Sequence, residues 1–138
     1  MTKIIHFCAA SYQTGSIGGV ARFDDHIKRA FPQRIHFSQQ QIREMYNYLN
    51  KNRDAIVITD NQLSVHVPNQ IKTIIFHHGC GKTTWERNYK NEKDGLGFYK
   101  NYVEPQQRML TYRNPKNTII ATISTACTDC LLYTSPSP

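Results

Sequence analysis

Five short apolar segments alternate with segments of helical periodicity along the 138 residues of this chain. The predicted strands are residues 3–9, 34–37, 54–59, 72–78 and 118–124. Between the first two strands, apolar residues recur at helical spacing from Val20 until Pro32 ends the pattern. Strands that alternate with helices predict an α/β domain with a parallel sheet. Right-handed crossovers make such a sheet doubly wound and Rossmann-like.

Local signals predict the remaining elements. Ser38 and Gln41 form a capping box before a second helix. Its predicted inward stripe is Ile42, Met45, Tyr46 and Leu49. Residues 60–70 are predicted to be a loop, and residues 82–93 a polar helix that Gly95 and Gly97 break. A further helix is predicted over about 98–113, with Val103, Met109 and Leu110 facing inward.

The pattern changes near the end of the sequence. A helix is expected after residue 124, but Pro136 and Pro138 cannot continue one. The final stretch Leu-Leu-Tyr-Thr-Ser-Pro-Ser-Pro also resembles translated sequencing-adapter read-through. We therefore assign one α/β domain to residues 1–129 and treat residues 130–138 as an artefactual or disordered tail.

Charge and composition limit the classes of partner. The net charge is +7, from 17 basic and 10 acidic residues, which leaves an anionic ligand or membrane face open. The basic residues are spread from Lys3 to Lys116 without a concentrated stripe. This spread predicts a solvated surface and no nucleic-acid partner.

The sequence also indicates the compartment. No apolar run approaches the ~18 residues that a membrane helix needs, and no signal-peptide pattern precedes the first strand. We expect a cytoplasmic protein, with peripheral contact at the inner face of the membrane left open. Four cysteines (Cys8, Cys80, Cys127 and Cys130) are then not expected to form a disulfide framework. Only Cys127 and Cys130 have metal-ligand spacing, so no metal site is predicted.

The candidate functional residues follow the predicted strands at their carboxyl ends, where parallel α/β sheets bind ligands. They are the loop at residues 11–19, Asp60, His77 with His78 and Gly79, and Ser124. Asp60 is either a loop cap or a polar contact to an acceptor, and Ser124 either starts a helix or contacts a phosphate. Each histidine is either a capped or exposed side chain, or a group that contacts a sugar hydroxyl or moves a proton.

Two nucleotide-binding motifs fail at the residue level. The loop Gly15-Ser-Ile-Gly18-Gly19 lacks G-x-G-x-x-G spacing, although its strand–loop–helix context suits phosphate or sugar contact. Gly81-Lys82-Thr83 lacks the earlier glycine of a P-loop, because residue 76 is Phe. Lys82 is therefore predicted to be a surface or cleft-edge lysine.

Several motifs together resemble a known family. They are Gly18-Gly19-Val20-Ala21-Arg22-Phe23 after the first strand, Ile-Val-Ile-Thr-Asp ending at Asp60, Ile74-Ile75-Phe76-His77-His78-Gly79, and Ile119–Ser124. In this order they resemble the amino-terminal domain of retaining GT-B glycosyltransferases of group 1, also called family four. The likeness covers nearly all of residues 1–129.

The resemblance implies metal-independent transfer of a sugar, with retention, from a nucleotide-sugar to a glycan or lipid acceptor. It implies no cofactor beyond that donor substrate. By the match, Gly18 and Gly19 approach the donor diphosphate, and His78, or His77 one residue away, contacts the donor sugar and assists the reaction. Arg22, Asp60, Ser124 and Lys82 are weaker cleft candidates. The family holds its donor mainly in a carboxyl-terminal domain, so this incomplete GT-B portion alone is not expected to catalyse transfer.

The residues of the chain also bear on three other classes of protein. A nucleotide-binding oxidoreductase domain requires an acidic residue after the second strand, where residues 38–41 are Ser-Gln-Gln-Gln. A nucleic-acid-binding module requires the basic stripe that is missing from the sequence. A non-catalytic Rossmann-like domain that binds a nucleotide or another ligand remains the alternative to the transferase.

Overall fold

The computed structural model describes residues 2–9, 19–78 and 81–122. Its five strands are β1 (Ile4–Phe7), β2 (Ile35–Phe37), β3 (Ile56–Asp60), β4 (Lys72–His77) and β5 (Thr118–Thr122). They form one parallel sheet in the order β2-β1-β3-β4-β5. The fold is therefore a Rossmann-like, doubly wound α/β sheet, as predicted.

The α-helices are α1 (Gly19–Ala30), α2 (Ile42–Lys51), α3 (Gly81–Thr84), α4 (Gly95–Phe98) and α5 (Glu104–Tyr112). A π-helical turn, Trp85–Tyr89, continues α3, and a second one, Tyr99–Val103, joins α4 to α5. Short 3-10 helices cover Gln39–Gln41 and Asn61–His66. None of the helices in these described ranges is long and apolar enough to cross a bilayer.

The two faces of the sheet have different surroundings. Ile5, Phe7 and Val57 pack with Met45 and Leu49 of α2 in the main hydrophobic cluster. Side chains alternate along each strand, so the residues between these lie on the opposite face. That face meets α1, where Asp24 contacts His6 and Phe23 contacts Phe76. The face toward α1 therefore carries a buried His–Asp contact beside its aromatic packing.

The predicted capping box is present at the start of the second helix. The Ser38 backbone N–H donates to Gln41 Oε1 at 3.0 Å. The predicted stripe of this helix is wrong at Tyr46, which is 38% exposed. The Tyr46 hydroxyl donates to the His66 carbonyl at 2.6 Å. A tyrosine at the border of a core keeps its hydroxyl where it finds a partner, and this bond holds the ring at the edge.

Two other local predictions are corrected. Residues 60–70 are not wholly loop, because Asn61–His66 is a 3-10 helix whose Ser64 hydroxyl donates to the Asn61 carbonyl at 3.0 Å. Gly95 begins α4 and Gly97 lies inside it, so Gly97 does not break the helix. The break falls at residues 90–94, where the π-helical turn ends in successive turns.

Candidate functional site at the carboxyl edge of the sheet

Asp60 and His78 form a close pair at the carboxyl edge. Asp60 ends β3 and His78 follows the neighbouring strand β4. His78 Nε2 lies 2.7 Å from Asp60 Oδ1, and the two side chains are 7% and 5% exposed. When Asp60 is ionised it only accepts, so Nε2 of His78 carries a proton, and in the neutral ring Nδ1 is then the acceptor. The pair thus fixes the tautomer of a histidine at the ligand-binding edge.

Asn61 holds the backbone of this histidine. Its side-chain Oδ1 accepts a hydrogen bond from the His78 backbone N–H at 2.7 Å. Asn61 has a positive φ of 43°. Asparagine tolerates the left-handed region better than most residues with a Cβ. The turn directs the Asn61 side chain toward β4, and its hydrogen bond to His78 connects the ends of β3 and β4.

Aromatic rings pack against the histidine. The Phe23 ring of α1 lies 4.8 Å from the His78 ring and 4.6 Å from the Phe76 ring, measured between centroids. The contact with His78 is edge-on, a geometry that aromatic pairs favour. Phe23 therefore limits the movement of the imidazole and shields its bond to Asp60 from water.

The electrostatics of Asp60 are unusual for a carboxyl group. Burial raises its pKa to about 7, the bond from His78 lowers it, and the nearby Asp24 carboxyl raises it. Asp60 Oδ2 accepts no hydrogen bond from any residue within the described ranges. Removal of a carboxylate from water disfavours its charged form, which accounts for the direction. This edge can therefore gain or release a proton near neutral pH.

A second polar group lies beside the first on the α1 face. Arg34 Nε donates to His6 Nδ1 at 3.2 Å, and His6 Nε2 lies 3.3 Å from Asp24 Oδ1. His6 and Asp24 are 0% and 1% exposed. Because arginine only donates, the neutral His6 ring carries its proton on Nε2 and donates it to Asp24. His6, which Arg34 holds at its other nitrogen, thereby donates to the buried carboxyl group that raises the pKa of Asp60.

The donor atoms of His6, Cys8 and Asp24 lie within 4.8 Å of one another, which is close enough for metal ligands. The hydrogen-bond pattern argues against that role. The Arg34 bond leaves His6 Nε2 protonated, and a protonated nitrogen has no lone pair for a metal. Burial and the nearby carboxylates also raise the pKa of the Cys8 thiol, so it stays protonated. The residues present do not fit a metal ion.

The Cys8 thiol also does not fit a nucleophile. Cys8 Sγ lies 3.1 Å from His36 Nε2. Burial, with His6 and Arg34 nearby, lowers the pKa of His36, which keeps its ring neutral. A neutral imidazole beside a protonated thiol makes a hydrogen bond, whereas a reactive cysteine requires the thiolate.

A cavity opens at Asp60, although His78 is not among the described residues that line it. Its volume is about 670 Å³, within the ~300–1,000 Å³ range of small-molecule sites. It extends from the end of β1 at Ala9, past Asp60 and the 3-10 helix, to the helix that carries Lys100 and Arg108. The sheet order reverses between β1 and β3, and doubly wound sheets bind ligands at this switch point.

The two predicted histidines have different surroundings. His77 is 1% exposed on the face opposite to His78, and neither of its ring nitrogens meets a partner in the part of the chain that the structure describes. Burial lowers its pKa, so the ring is neutral. His78 is therefore the histidine that the structure brings together with a second predicted residue, Asp60.

The other predicted site residues are more scattered. Gly19 is the first residue of α1, and Arg22 is exposed in the next turn. Lys82 is half-buried in α3, and it is not among the residues that line the cavity. Gly18 and Ser124 lie outside the described residues.

Sequence reasoning missed several residues around the site. Asn61 carried a usable signal, because an asparagine directly after a strand favours a left-handed turn. His6 and Asp24 carried a weaker one, as polar residues within an apolar strand and near the inward side of a helix. Lys100 and Arg108 carried none, because a surface lysine and a cavity lysine look alike in sequence.

Comparison of the chain with protein-family models found no matching family, and comparisons with curated proteins and with solved structures found no match either. The candidate site therefore rests on the sequence motifs and on the geometry described above.

Proposed function

We propose that this chain is the acceptor-side domain of a sugar transferase of the GT-B type. The observation that carries the proposal is the Asp60–His78 pair at the carboxyl edge, whose polar atoms lie 2.7 Å apart and whose Asp60 lines the cavity. These two residues come from two of the motifs that resemble the glycosyltransferase family. In the proposal, the domain binds a glycan or lipid acceptor, and a nucleotide-sugar is brought to the same edge.

His78 would act on the donor sugar. With Nε2 bound to Asp60, Nδ1 is the atom that accepts a hydrogen bond from a sugar hydroxyl, or receives a proton during transfer. Asp60 and Asn61 act as positioning residues, because one fixes the ring and the other fixes the backbone. In this assignment Asp60 orients a catalytic histidine, a role that a simple loop cap does not have.

The amino terminus of α1 would approach the donor diphosphate. α1 spans 12 residues from Gly19, and it has no acidic residue in its first turn to compete with a phosphate. Free N–H groups and the positive end of the helix dipole favour an anion there. Gly18 and Gly19 keep the role that the family resemblance gives them.

Retention at the sugar carbon and independence from a metal ion enter the proposal from the resemblance. A cytoplasmic location and peripheral contact with the inner membrane face enter it from the sequence pattern and the basic net charge. His6, Cys8 and Asp24 do not fit a metal ion, and this chemistry is compatible with a metal-independent transferase. A non-catalytic domain that binds a ligand in the cavity remains the alternative.

A turnover assay tests the proposal. The full-length gene product that contains this chain is incubated with a panel of nucleotide-sugars, and release of the nucleoside diphosphate is measured. His78→Gln keeps an amide donor near Asp60 but cannot exchange a proton. We expect it to lower kcat by about 100-fold, the scale of a lost acid–base group. His26→Gln changes an exposed histidine of α1 and serves as the matched control.

Two outcomes would count against the transferase. If no nucleotide-sugar is turned over although the cavity binds a ligand, the non-catalytic alternative is correct. If His78→Gln and His26→Gln both retain the wild-type rate, transfer does not use the Asp60–His78 pair.

A further inference from the structure

The cavity beside Asp60 has a marked charge asymmetry. Lys100 and Arg108 line it, and Asp60 is the one carboxylate among the described residues that line it. Within the described part of the chain, no ion pair involves Lys100 or Arg108. Both side chains belong to exposed residues that flank the opening. Cations without acidic partners favour an anionic ligand at this edge.

Phosphate is the anion that fits two such groups best. A guanidinium forms paired hydrogen bonds to phosphate oxygens, and an ammonium adds a point charge. Lys100 and Arg108 come from the same helical segment, eight residues apart, and line the same cavity. The two cations therefore face one cavity, from which both long side chains can approach the same ligand.

Uncharged polar groups line the remainder of the cavity. The side-chain amides of Gln39, Asn61 and Asn101 belong to residues around it, and each amide can both donate and accept. Hydroxyl groups need partners of this double kind. Tyr102 and Pro105 add apolar surface on the helical side. This combination is suited to a polyhydroxylated ligand with one non-polar face, such as a sugar ring.

We infer that this cavity binds a phosphorylated sugar, with the phosphate between Lys100 and Arg108 and the hydroxyls on the amides. One part of this inference rests on the proposed function: the role of the ligand as the acceptor of the transferase. The binding itself follows from the cavity and its charges. The same chemistry occurs in a free sugar phosphate and in a lipid that carries a polyol phosphate headgroup.

Calorimetric titration of the full chain tests this inference. The ligands are glucose 6-phosphate, glucose and inorganic phosphate. We expect glucose 6-phosphate to bind at least about tenfold more tightly than either of the others, because it alone engages both parts of the cavity. If inorganic phosphate binds as tightly as glucose 6-phosphate, the site recognises only an anion. If none of the three binds at millimolar concentration, there is no such site.

A matched pair of double variants tests the location. Lys100→Ala with Arg108→Ala should weaken glucose 6-phosphate binding by about tenfold or more, since hydrogen bonds to charged groups are lost. Lys93→Ala with Arg87→Ala removes the same charge from exposed residues that do not line the cavity. Equal weakening by the two pairs would mean that net charge alone attracts the ligand.

Vesicles distinguish the two sources of the phosphate. Phosphatidylglycerol vesicles that bind through Lys100 and Arg108, with phosphatidylcholine vesicles inactive, would identify a lipid headgroup. Binding of glucose 6-phosphate without vesicle binding would identify a soluble sugar phosphate.

The turnover assay separates this inference from the proposed function. Glucose 6-phosphate binding without any sugar transfer would support the binding site and contradict the proposed transferase activity. Sugar transfer to a phosphate-free acceptor that is unaffected by the loss of Lys100 and Arg108 would support the transferase activity. It would contradict the inferred binding of a phosphorylated sugar.

Discussion

At the scale of single residues, the carboxyl edge combines one exchangeable proton with a fixed backbone. Asp60 accepts from His78, and Asn61 in the left-handed region accepts from the His78 backbone N–H. Asp24 lies close enough to raise the pKa of Asp60, His6 donates to Asp24, and Arg34 donates to His6. These five polar residues, from two strands, one α-helix, one 3-10 helix and the segment before β2, thus surround one histidine.

Substitution of Asn61 separates its hydrogen bond from its backbone conformation. Asn61→Gly keeps the positive φ and loses the acceptor, which should cost about 1 kcal/mol of unfolding free energy. Asn61→Ala loses both and should cost about 1–2 kcal/mol more, the cost of a Cβ in the left-handed region. Urea denaturation measures both, with exposed Asn50→Ala as the control. Equal losses for Gly and Ala would contradict a conformational role for Asn61.

The raised pKa of Asp60 predicts how stability depends on pH. The folded-state pKa is about 7 and the ordinary value is 3.8, so the folded protein binds the proton more tightly. This contribution is therefore stabilising at low pH and is lost as the pH rises through 7. Asp60→Asn removes the charge and keeps an acceptor for His78. It should be more stable than the wild type at pH 8, by about 1–3 kcal/mol, and similar to it near pH 4.

Chemical denaturation at pH 4, 6 and 8 measures this difference. Asp54→Asn, at an exposed residue before β3, should show no such trend. A stability difference between Asp60→Asn and the wild type that is constant from pH 4 to 8 would show that the Asp60 pKa is ordinary.

At the scale of elements, a buried arginine joins the strands at the amino end of the sheet. Arg113 is 6% exposed and directly follows α5. Its Nη1 donates to the Val67 carbonyl at 2.6 Å, and its Nη2 to the Ile71 carbonyl at 3.0 Å and Thr73 Oγ1 at 2.7 Å. Its Nε donates to Thr118 Oγ1 at 3.2 Å. The guanidinium therefore connects α5, β4 and β5 and keeps the helical wall of the cavity against the sheet.

Replacement of Arg113 by lysine should be strongly destabilising. Lysine keeps the charge but cannot reproduce the planar fork, so buried carbonyl groups lose their donors. The expected loss is about 2–4 kcal/mol, measured by thermal or urea unfolding. Arg43→Lys on the exposed side of α2 should change stability by less than about 0.5 kcal/mol. A similar small effect at both positions would refute the role of Arg113.

Two glycines of α4 should respond oppositely to alanine. A Cβ on Gly95 would overlap the Tyr89 carbonyl oxygen, whereas a Cβ on Gly97 meets nothing within 4 Å. Gly95→Ala should destabilise by about 1–3 kcal/mol, the usual cost of overpacking. Gly97→Ala should stabilise by about 0.5–1 kcal/mol, since alanine is the better helix former. Melting temperatures of the two variants compare them directly, and shifts of the same sign would contradict the close contact between α4 and the π-helical turn.

At the scale of the whole molecule, the sequence predicted the parallel α/β class and all five strands within a few residues. Hydrophobic runs and helical spacing carry that information because burial on both faces imposes it. The strand order could not be predicted, because it depends on the direction of each crossover. Asp60 and His78 were expected at one edge, but their contact depends on the adjacency of β3 and β4 and on the turn at Asn61. The cavity depends on how the helix that carries Lys100 and Arg108 packs, which single residues do not encode.

We propose that the carboxyl edge of this sheet is a sugar-transfer site, and one titration tests that proposal. The ¹⁵N-labelled full-length gene product that contains this chain is titrated with UDP-glucose or GDP-mannose, and its backbone amide shifts are followed. We expect shifts at millimolar nucleotide-sugar to cluster at Gly19, Asn61 and His78, and we expect His78→Gln to weaken them while His26→Gln does not. Shifts that cluster at the opposite edge, near Asp54 and Asn117, or the absence of any shift, would rule out a sugar-transfer site at the carboxyl edge.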